Sequence, residues 1–354
     1  MSELSTLLRE AREGTLDKPG ALELLKKVRD YSDLMKLMSV ASEVRDECVG
    51  RTYKLEAFMS PITKCTTNPP CKYCRRSAGT ERELLTPEEI RWGAERVAET
   101  GIKRLEIGGG TPWGGAGEAV INAVRIIKEV APNLLIRVNV GPALTRENLL
   151  KLKELGVAEV SSNFETMNRE VFREVKPGDD LNARIALAKT IDAAGLRLST
   201  TIMVGIGSTY EDYVNHIFWL KENIRNLGRV AITVLRPIKG TPMESTPAGS
   251  VMEALKVGAL ARAVLRDVDL GFGGIMNDHR LIPLRAMAGG NREVHLSVLV
   301  TKSRTWLRPS ISPAETKVIT NGELILINYL PLITRIIKEA GMEPEVEPPS
   351  TTSR

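Results

Sequence analysis

The sequence predicts an α/β protein: a (β/α) barrel of the TIM type, full or nearly closed, with an N-terminal helical extension and a small C-terminal appendage. Three observations predict it. From residue 51 onward, short runs rich in β-branched residues alternate with amphipathic stretches of helical period. The first 50 residues show helical spacing alone. After Thr305 the pattern changes again, where an Asn-Gly pair interrupts a β-branched run. A βα alternation joins parallel strands through crossover helices, and the six or seven units present here favour a closed barrel over an open doubly wound sheet. The boundaries read this way are 1–50 for the extension, 51–304 for the barrel, 305–342 for the appendage and 343–354 for a polar, proline-rich tail expected to be disordered.

In the extension, Leu7, Leu8, Leu22, Leu24, Leu25, Val28, Leu34 and Leu37 recur at helical spacing. Strands are expected at Tyr53–Met59, Arg104–Ile107, Leu134–Val140, Glu159–Asn163, Arg197–Val204, Val230–Leu235 and Asp269–Phe272. Helices are expected between them, at Glu88–Thr100, Glu118–Val130, Arg146–Leu155, Asn182–Ala194, Tyr210–Asn226 and Val251–Asp267. Two of these open with helix-start signals, Thr86-Pro87-Glu88-Glu89 and Thr145-Arg146-Glu147. In the appendage, Asn321-Gly322 reads as a hairpin turn, followed by a helix over Tyr329–Ala340. Ligands of such barrels sit at the C-terminal ends of the strands, so every strand end is a candidate site.

Composition narrows the function. Hydrophobic residues make up 42% and charged residues 26%, which is enough apolar material for a sizeable core. The 49 basic and 44 acidic residues give a net +5, interspersed along the chain, so no nucleic-acid partner is expected. No apolar run approaches the roughly 18 residues a membrane span requires, and the N-terminus lacks an export signal. The expectation is a cytoplasmic protein with no membrane partner.

Three of the 4 cysteines fall in one short loop after the first barrel strand, Cys65-Thr-Thr-Asn-Pro-Pro-Cys71-Lys-Tyr-Cys74. Three thiolates so placed can hold three corners of an iron–sulfur cube and leave the fourth iron open for a substrate or cofactor. A structural zinc site is the alternative. It takes four N or S ligands, and only Cys48, His216, His279 and His295 are left to supply a fourth. Prolines 69 and 70 restrict the backbone of the longer gap.

The remaining strand ends carry further candidates. The second ends Gly108-Gly109-Gly110-Thr111, where glycines allow close approach of a ligand to the backbone or simply form a tight turn. The fourth ends Ser161-Ser162-Asn163-Phe164-Glu165-Thr166, an acid and several hydroxyls, with Arg184 in the first turns of the next helix. Glu165 and Arg184 could equally pair with surface charges. Met203 and two glycines end the fifth. Arg236 and Lys239 follow the sixth and suit either an anionic substrate or a solvated loop.

With these residues, the chain resembles the radical S-adenosylmethionine (SAM) superfamily over roughly residues 50 to 300, especially its biotin-synthase-like branch. The family's commonest motif spaces its first two cysteines by three residues. Here the gap is five, which resembles a subgroup serving biosynthesis of the iron-guanylylpyridinol (FeGP) cofactor of the iron-only hydrogenase. The resemblance implies a 4Fe–4S cluster on Cys65, Cys71 and Cys74. It implies SAM contacts from Tyr73, Gly108, Gly109, Gly110, Thr111, Asn139, Glu165, Arg184 and Met203, with Arg184 on the SAM carboxylate, as its planar fork suits. Glu165 is the candidate catalytic residue, and Ser161, Asn163, Arg236 and Lys239 are candidate substrate contacts. The implied reaction is reductive cleavage of SAM to a 5'-deoxyadenosyl radical that abstracts hydrogen from a small-molecule substrate. A low-potential ferredoxin or flavodoxin is the implied electron donor.

Sulfur insertion is not expected. Biotin synthase carries a second cluster with its own cysteines, whereas here only Cys48 remains, and Gly271-Phe-Gly-Gly-Ile lacks the arginine that biotin synthase uses at that strand. Two readings stand beside the hydrogenase-cofactor one: a mutase resembling methylornithine synthase, and, from another class, a zinc-stabilised barrel serving as a binding scaffold.

Overall fold

The computed structural model describes residues 2–79, 83–294, 297–304, 307 and 311–346. His295, considered above as a ligand, and the tail beyond 346 lie outside the described residues. Three helices come first: α1 (Glu3–Glu13), α2 (Lys18–Lys27) and α3 (Tyr31–Cys48). Ser2, Asp17 and Asp30 cap them by accepting from the backbone N–H groups of Ser5, Gly20 and Asp33, which would otherwise lack partners. Their apolar stripes, Leu7, Leu24, Leu25 and Leu37 among them, are buried.

The expected strand Tyr53–Met59 is two strands, β1 (Thr52–Lys54) and β2 (Ala57–Met59). The chain changes partners at Leu55-Glu56: β1 pairs outside the main sheet, and β2 enters it. Next come α4 (Pro87–Ala98), β3 (Arg104–Gly108), α5 (Gly117–Val130), β4 (Leu135–Asn139), α6 (Arg146–Glu154) and β5 (Val157–Ser161). A short helix that the periodicity did not show, α7 (Arg169–Val175), precedes α8 (Leu181–Ala193) and β6 (Arg197–Val204). Then α9 (Tyr210–Asn223), β7 (Leu227–Val234), α10 (Val251–Val264), β8 (Asp269–Gly274), α11 (Ile282–Met287) and β9 (Val298–Thr301) complete the alternation. The α2 helix packs on α9, and α3 on α10.

The main sheet is 10-stranded, in the order β10-β11-β9-β2-β3-β4-β5-β6-β7-β8, and runs parallel from β9 to β8. Full closure is not seen: among the described residues β8 does not pair with β9. Instead the segment 291–293 spans the gap at the N-terminal ends of the strands. Asn291 and Arg292 N–H donate to Leu270 C=O, Lys54 N–H donates to Asn291 C=O, and Glu293 N–H donates to Lys54 C=O.

The appendage is the hairpin β10 (Lys317–Asn321) and β11 (Leu324–Asn328) with α12 (Leu330–Glu339). Its turn brings Gly322 to a φ of 59°, a conformation glycine adopts without strain. The hairpin adds antiparallel strands beside β9. Residues 343–345, expected in the disordered tail, form β12 (Glu343–Glu345), parallel to β1. They are tied down by Glu343 N–H on Arg51 C=O and by the Arg104–Glu345 ion pair.

Alternation along each strand puts apolar residues against the helices and the other face inside. Outward-facing Leu105, Ile136, Val138, Leu198, Ile232 and Phe272 are buried. The inward face is charged. Arg137 grips Glu56 with Nε and Nη2 at 3.0 and 2.6 Å, and also bonds Glu106. Arg292 bonds Glu159 at 2.7 Å, Glu56 at 2.8 Å and Asp269 at 3.3 Å, and Lys54 reaches Asp269 at 2.6 Å. Burial would raise these carboxyls, yet the guanidinium groups beside them hold Glu56 well below the usual carboxylate range and lower Glu159 and Asp269 too.

Candidate active site at the barrel mouth

The cysteine loop extends the pairing of β2 with β3 past the strand ends. Ile62 N–H donates to Gly108 C=O at 2.9 Å, Gly110 N–H to Thr63 C=O at 3.0 Å, and Thr66 N–H to Thr111 C=O at 2.9 Å. The glycine run was expected to let a ligand approach; the chain's own loop lies there. A Cβ on Gly109 would stand 2.1 Å from Thr63 Oγ1, and one on Gly110 would stand 2.2 Å from the backbone nitrogen of Cys65. A Cβ on Gly108 would meet the Phe58 ring at 2.7 Å.

Within the loop, Cys74 N–H donates to Cys71 C=O at 3.0 Å, and a 3-10 turn, Arg75–Ala78, follows. Cys74 is exposed, and Cys65 and Cys71 are half-buried. Burial pushes the Cys71 thiol up to about 11. Burial acts the same way on Cys65, but hydrogen bonding to Thr67, whose Oγ1 is 3.3 Å away, and to the Thr111 backbone brings it below its ordinary value.

The far side of the loop is clasped by α7 and the turn after it. Lys72 N–H donates to Val175 C=O at 2.9 Å, Lys72 pairs with Glu174, and a Cβ on Gly178 would stand 2.3 Å from Pro69 C=O. From this turn Asp179 accepts Arg184 Nε at 2.9 Å and is bridged by Lys176 at 3.2 Å. Burial opposes ionisation of Asp179, but Lys176 and Arg184 outweigh it and lower its pKa. Arg184 Nη2 also reaches Thr111 Oγ1 at 3.2 Å, so two candidate residues from distant segments meet. The Ser162 hydroxyl, not singled out in the sequence, donates to Arg184 C=O at 2.7 Å and holds the start of α8 against β5.

Glu165 has a φ of 65°, a left-handed conformation that a non-glycine residue adopts only under local constraint. The constraint is visible. Its N–H donates to Thr201 C=O at 3.2 Å, its C=O accepts Met203 N–H at 2.8 Å, and its carboxylate accepts the Thr201 hydroxyl at 2.8 Å. Tyr73 and Met203 pack with Val171, Val175, Ile206, Leu235 and Met243 in a small apolar cluster at the mouth. Burial, with Glu165 and Cys71 close by, raises the Tyr73 phenol well above its usual value.

Asn163 Nδ2 donates to Asn139 Oδ1 at 3.1 Å, and Asn139 Nδ2 to Glu106 Oε1 at 2.7 Å, linking the mouth to the charged interior. Ser161 lies in that interior, fully buried, where its hydroxyl accepts Arg137 Nη1 at 3.2 Å. Arg236 and Lys239 are exposed on the loop after β7, whose Gly240 faces Ala78 of the cysteine segment.

Three thiols on one clasped loop fit a cube, in which each would take a different iron. They do not fit a single ion: among the described residues no three Cys, His, Asp or Glu side chains come together to hold one metal. Nor, among the described residues, does a fourth ligand come near. Cys48 ends α3, at the opposite end of the strands. His216 is buried behind β5 against Phe164, at 5.6 Å, and His279 packs on Tyr329 at 5.1 Å.

Comparison with known proteins gives the family. The family model for the radical SAM superfamily matches residues 59–220. An uncharacterized protein of Methanocaldococcus jannaschii is 36% identical over 263 residues, which is 73% of this chain and 68% of that protein. A biotin synthase of Carboxydothermus hydrogenoformans is 27% identical over 301 residues, 82% of this chain and 90% of that one. Among solved structures, methylornithine synthase (PylB) superposes with a TM-score of 0.76 at 21% identity, covering 96% of this chain and 97% of its own. The FeFe-hydrogenase maturase HydG of Carboxydothermus hydrogenoformans gives 0.77 at 18% identity, with 97% and 79% covered. These two likenesses show an α/β fold with parallel strands, similar to radical SAM barrels. No helix among the described residues is long and apolar enough to cross a membrane. The chain is a radical SAM enzyme, a member of the superfamily that works with a 4Fe–4S cluster and S-adenosylmethionine.

Proposed function

We propose that Cys65, Cys71 and Cys74 hold the cluster and that the surrounding strand ends hold SAM, in an enzyme of hydrogenase (FeGP) cofactor biosynthesis of the HmdB (HcgA) type. The observation that carries the site is the docking of the cysteine loop on Gly109 and Gly110, which seats Cys65 beside Thr111 and Arg184. When bound, cluster and SAM supply a 5'-deoxyadenosyl radical for hydrogen abstraction. The protein's own part is orientation. Arg184, already fixed by Asp179 and Thr111, offers its guanidinium to the SAM carboxylate, while Glu165, held by Thr201, presents its carboxylate at the same mouth. Tyr73 and Met203 give the ligand an apolar wall, which also excludes water. Asn139 and Asn163 line the way to the interior. Arg236 and Lys239 stand at the rim for an anionic substrate. The exposed Cys74 lets a low-potential ferredoxin or flavodoxin approach the site.

The pathway assignment rests on the five-residue gap between Cys65 and Cys71. A second reading, a mutase like methylornithine synthase, is favoured by the near-complete mutual coverage with that structure. Anaerobic reconstitution with iron and sulfide assay, electron paramagnetic resonance and detection of 5'-deoxyadenosine test the site. Deuterium transfer from labelled pyridinol precursors into 5'-deoxyadenosine would support the first reading, and formation of methylornithine the second. One bound zinc without acid-labile sulfide would instead support the scaffold reading.

A further inference from the structure

Arg229 of β7 points into the barrel in the same row as Ser199 of β6 and Asp269 of β8. It is 1% exposed, and among the described residues its single hydrogen bond runs from Nη1 to Ser199 Oγ at 3.3 Å. Among the described residues Nε and Nη2 have no hydrogen-bond partner. These two nitrogens form one edge of the guanidinium, the edge with which Arg137 grips Glu56 and Arg184 grips Asp179. Neighbouring carboxylates are engaged elsewhere: Glu56 by Arg137 and Arg292, Glu106 by Arg137 and Asn139, Asp269 by Lys54, Asn291 and Arg292, and Glu159 by Arg292 through Oε1, its Oε2 having no hydrogen-bond partner among the described residues. Arg229 therefore carries its charge in the interior with a carboxylate-binding edge unused.

That edge faces upward. A Cβ on Gly271, one inward position nearer the mouth on β8, would lie 3.5 Å from Arg229 Nη2. The side chains above it are small: Ala231 on β7, then Gly271 and Gly273 on β8, with Val294 as one wall and the half-exposed Thr233 above.

We propose that Arg229 is the floor of the substrate pocket and binds a carboxylate of the substrate through Nε and Nη2, which makes the substrate a small carboxylic acid. This rests on the reading of the mouth as the reaction chamber. The charge-assisted pair closes the pocket from below, while the site candidates hold SAM above.

The test is ligand-observed saturation-transfer NMR on the anaerobic full-length chain, with and without reconstituted cluster and SAM. Acetate, butyrate and benzoate are compared with acetamide, butyramide and benzamide. The wild type is expected to bind at least one carboxylate about tenfold or more tightly than its amide, as one charge-assisted pair would give. Arg229→Met and Arg229→Gln should abolish that preference with little change in melting temperature, because no protein carboxylate loses a hydrogen bond and the buried guanidinium's desolvation is relieved. Lys26→Met, exposed on the outer helix α2, should leave it intact. Equal binding of acid and amide in every pair, a preference that survives Arg229→Met, or one lost in Lys239→Met but kept in Arg229→Met would overturn the proposal. Failure to cleave SAM with the preference intact would instead count against the cluster and SAM assignment alone.

Discussion

The interior of the barrel and its mouth are both polar, but they are held in opposite ways. In the interior, Glu56, Glu106, Glu159 and Asp269 interlock with Arg137, Arg292 and Lys54, so nearly every charge satisfies another. At the mouth, the cysteine loop and Glu165 are fixed mainly by backbone hydrogen bonds and close packing, which leave the thiols open, and Arg184 is the exception, held by its buried pair with Asp179. Buried ion pairs break expensively when one partner is removed, because the other is stranded. Groups positioned through their backbones can change chemistry with little loss of fold. The difference predicts which substitutions abolish activity and which abolish folding.

The largest expected effect is at the mouth. Cys65→Ala should reduce 5'-deoxyadenosine formation to background and lower iron content while leaving the melting temperature of the apoprotein nearly unchanged. Retention of both cluster and SAM cleavage would break the assignment. The interior should answer in the opposite sense. Arg137→Met takes a guanidinium from both Glu56 and Glu106, leaving Arg292 on the first and Asn139 on the second, and should lose about 3–5 kcal/mol in urea unfolding, with SAM cleavage per bound cluster preserved in the folded fraction.

Gly110→Ala sharpens the contrast, since its Cβ would displace the Cys65 backbone. A loss of about 1–3 kcal/mol together with reduced iron occupancy is expected, whereas Gly114→Ala, strained at a φ of 99° but with its Cβ in open space, should cost stability and keep full occupancy.

His216 belongs to neither region and gives a pH test of the apolar shell. Burial holds its pKa at about 3 against an ordinary 6.5, so the unfolded chain binds a proton that the folded one refuses as pH falls below 6.5. Stability should therefore drop by about 1.4 kcal/mol per pH unit from 6.5 downward, a dependence that His216→Phe flattens in denaturant titrations. The smallest effect is expected at Glu165. Replacement by glycine relieves a left-handed backbone and should stabilise by up to about 1 kcal/mol, while weakening SAM binding measured by equilibrium dialysis.

Much of this was legible in the chain, for local reasons. The cysteine spacing, the β-branched runs and the capped helix starts depend on neighbours within a few residues, and Arg197–Val204 matches β6 residue for residue. Elements whose partners are remote were not legible. The α7 helix is too short to show a period, and β9 is four residues that become a strand by pairing with β2. The tail residues 343–345 look disordered by composition, yet are ordered by β1 and Arg104.

The charged interior was hidden for a subtler reason. Alternation such as Leu135-Ile-Arg137-Val-Asn139 usually marks a strand with one face in water, and nothing local tells that the polar face has curved inward. By itself, then, the sequence determined the βα order and the three-thiol loop, since these follow from residue type and spacing, and the resemblance those residues carry implied the class of chemistry. Only the tertiary structure decided that the glycines seat the loop itself, that Asp179 and Thr111 aim Arg184, and that Arg229 keeps Nε and Nη2 without a hydrogen-bond partner among the described residues. Each depends on which distant side chains meet inside the barrel, and that is set by the register of parallel strands far apart in the chain.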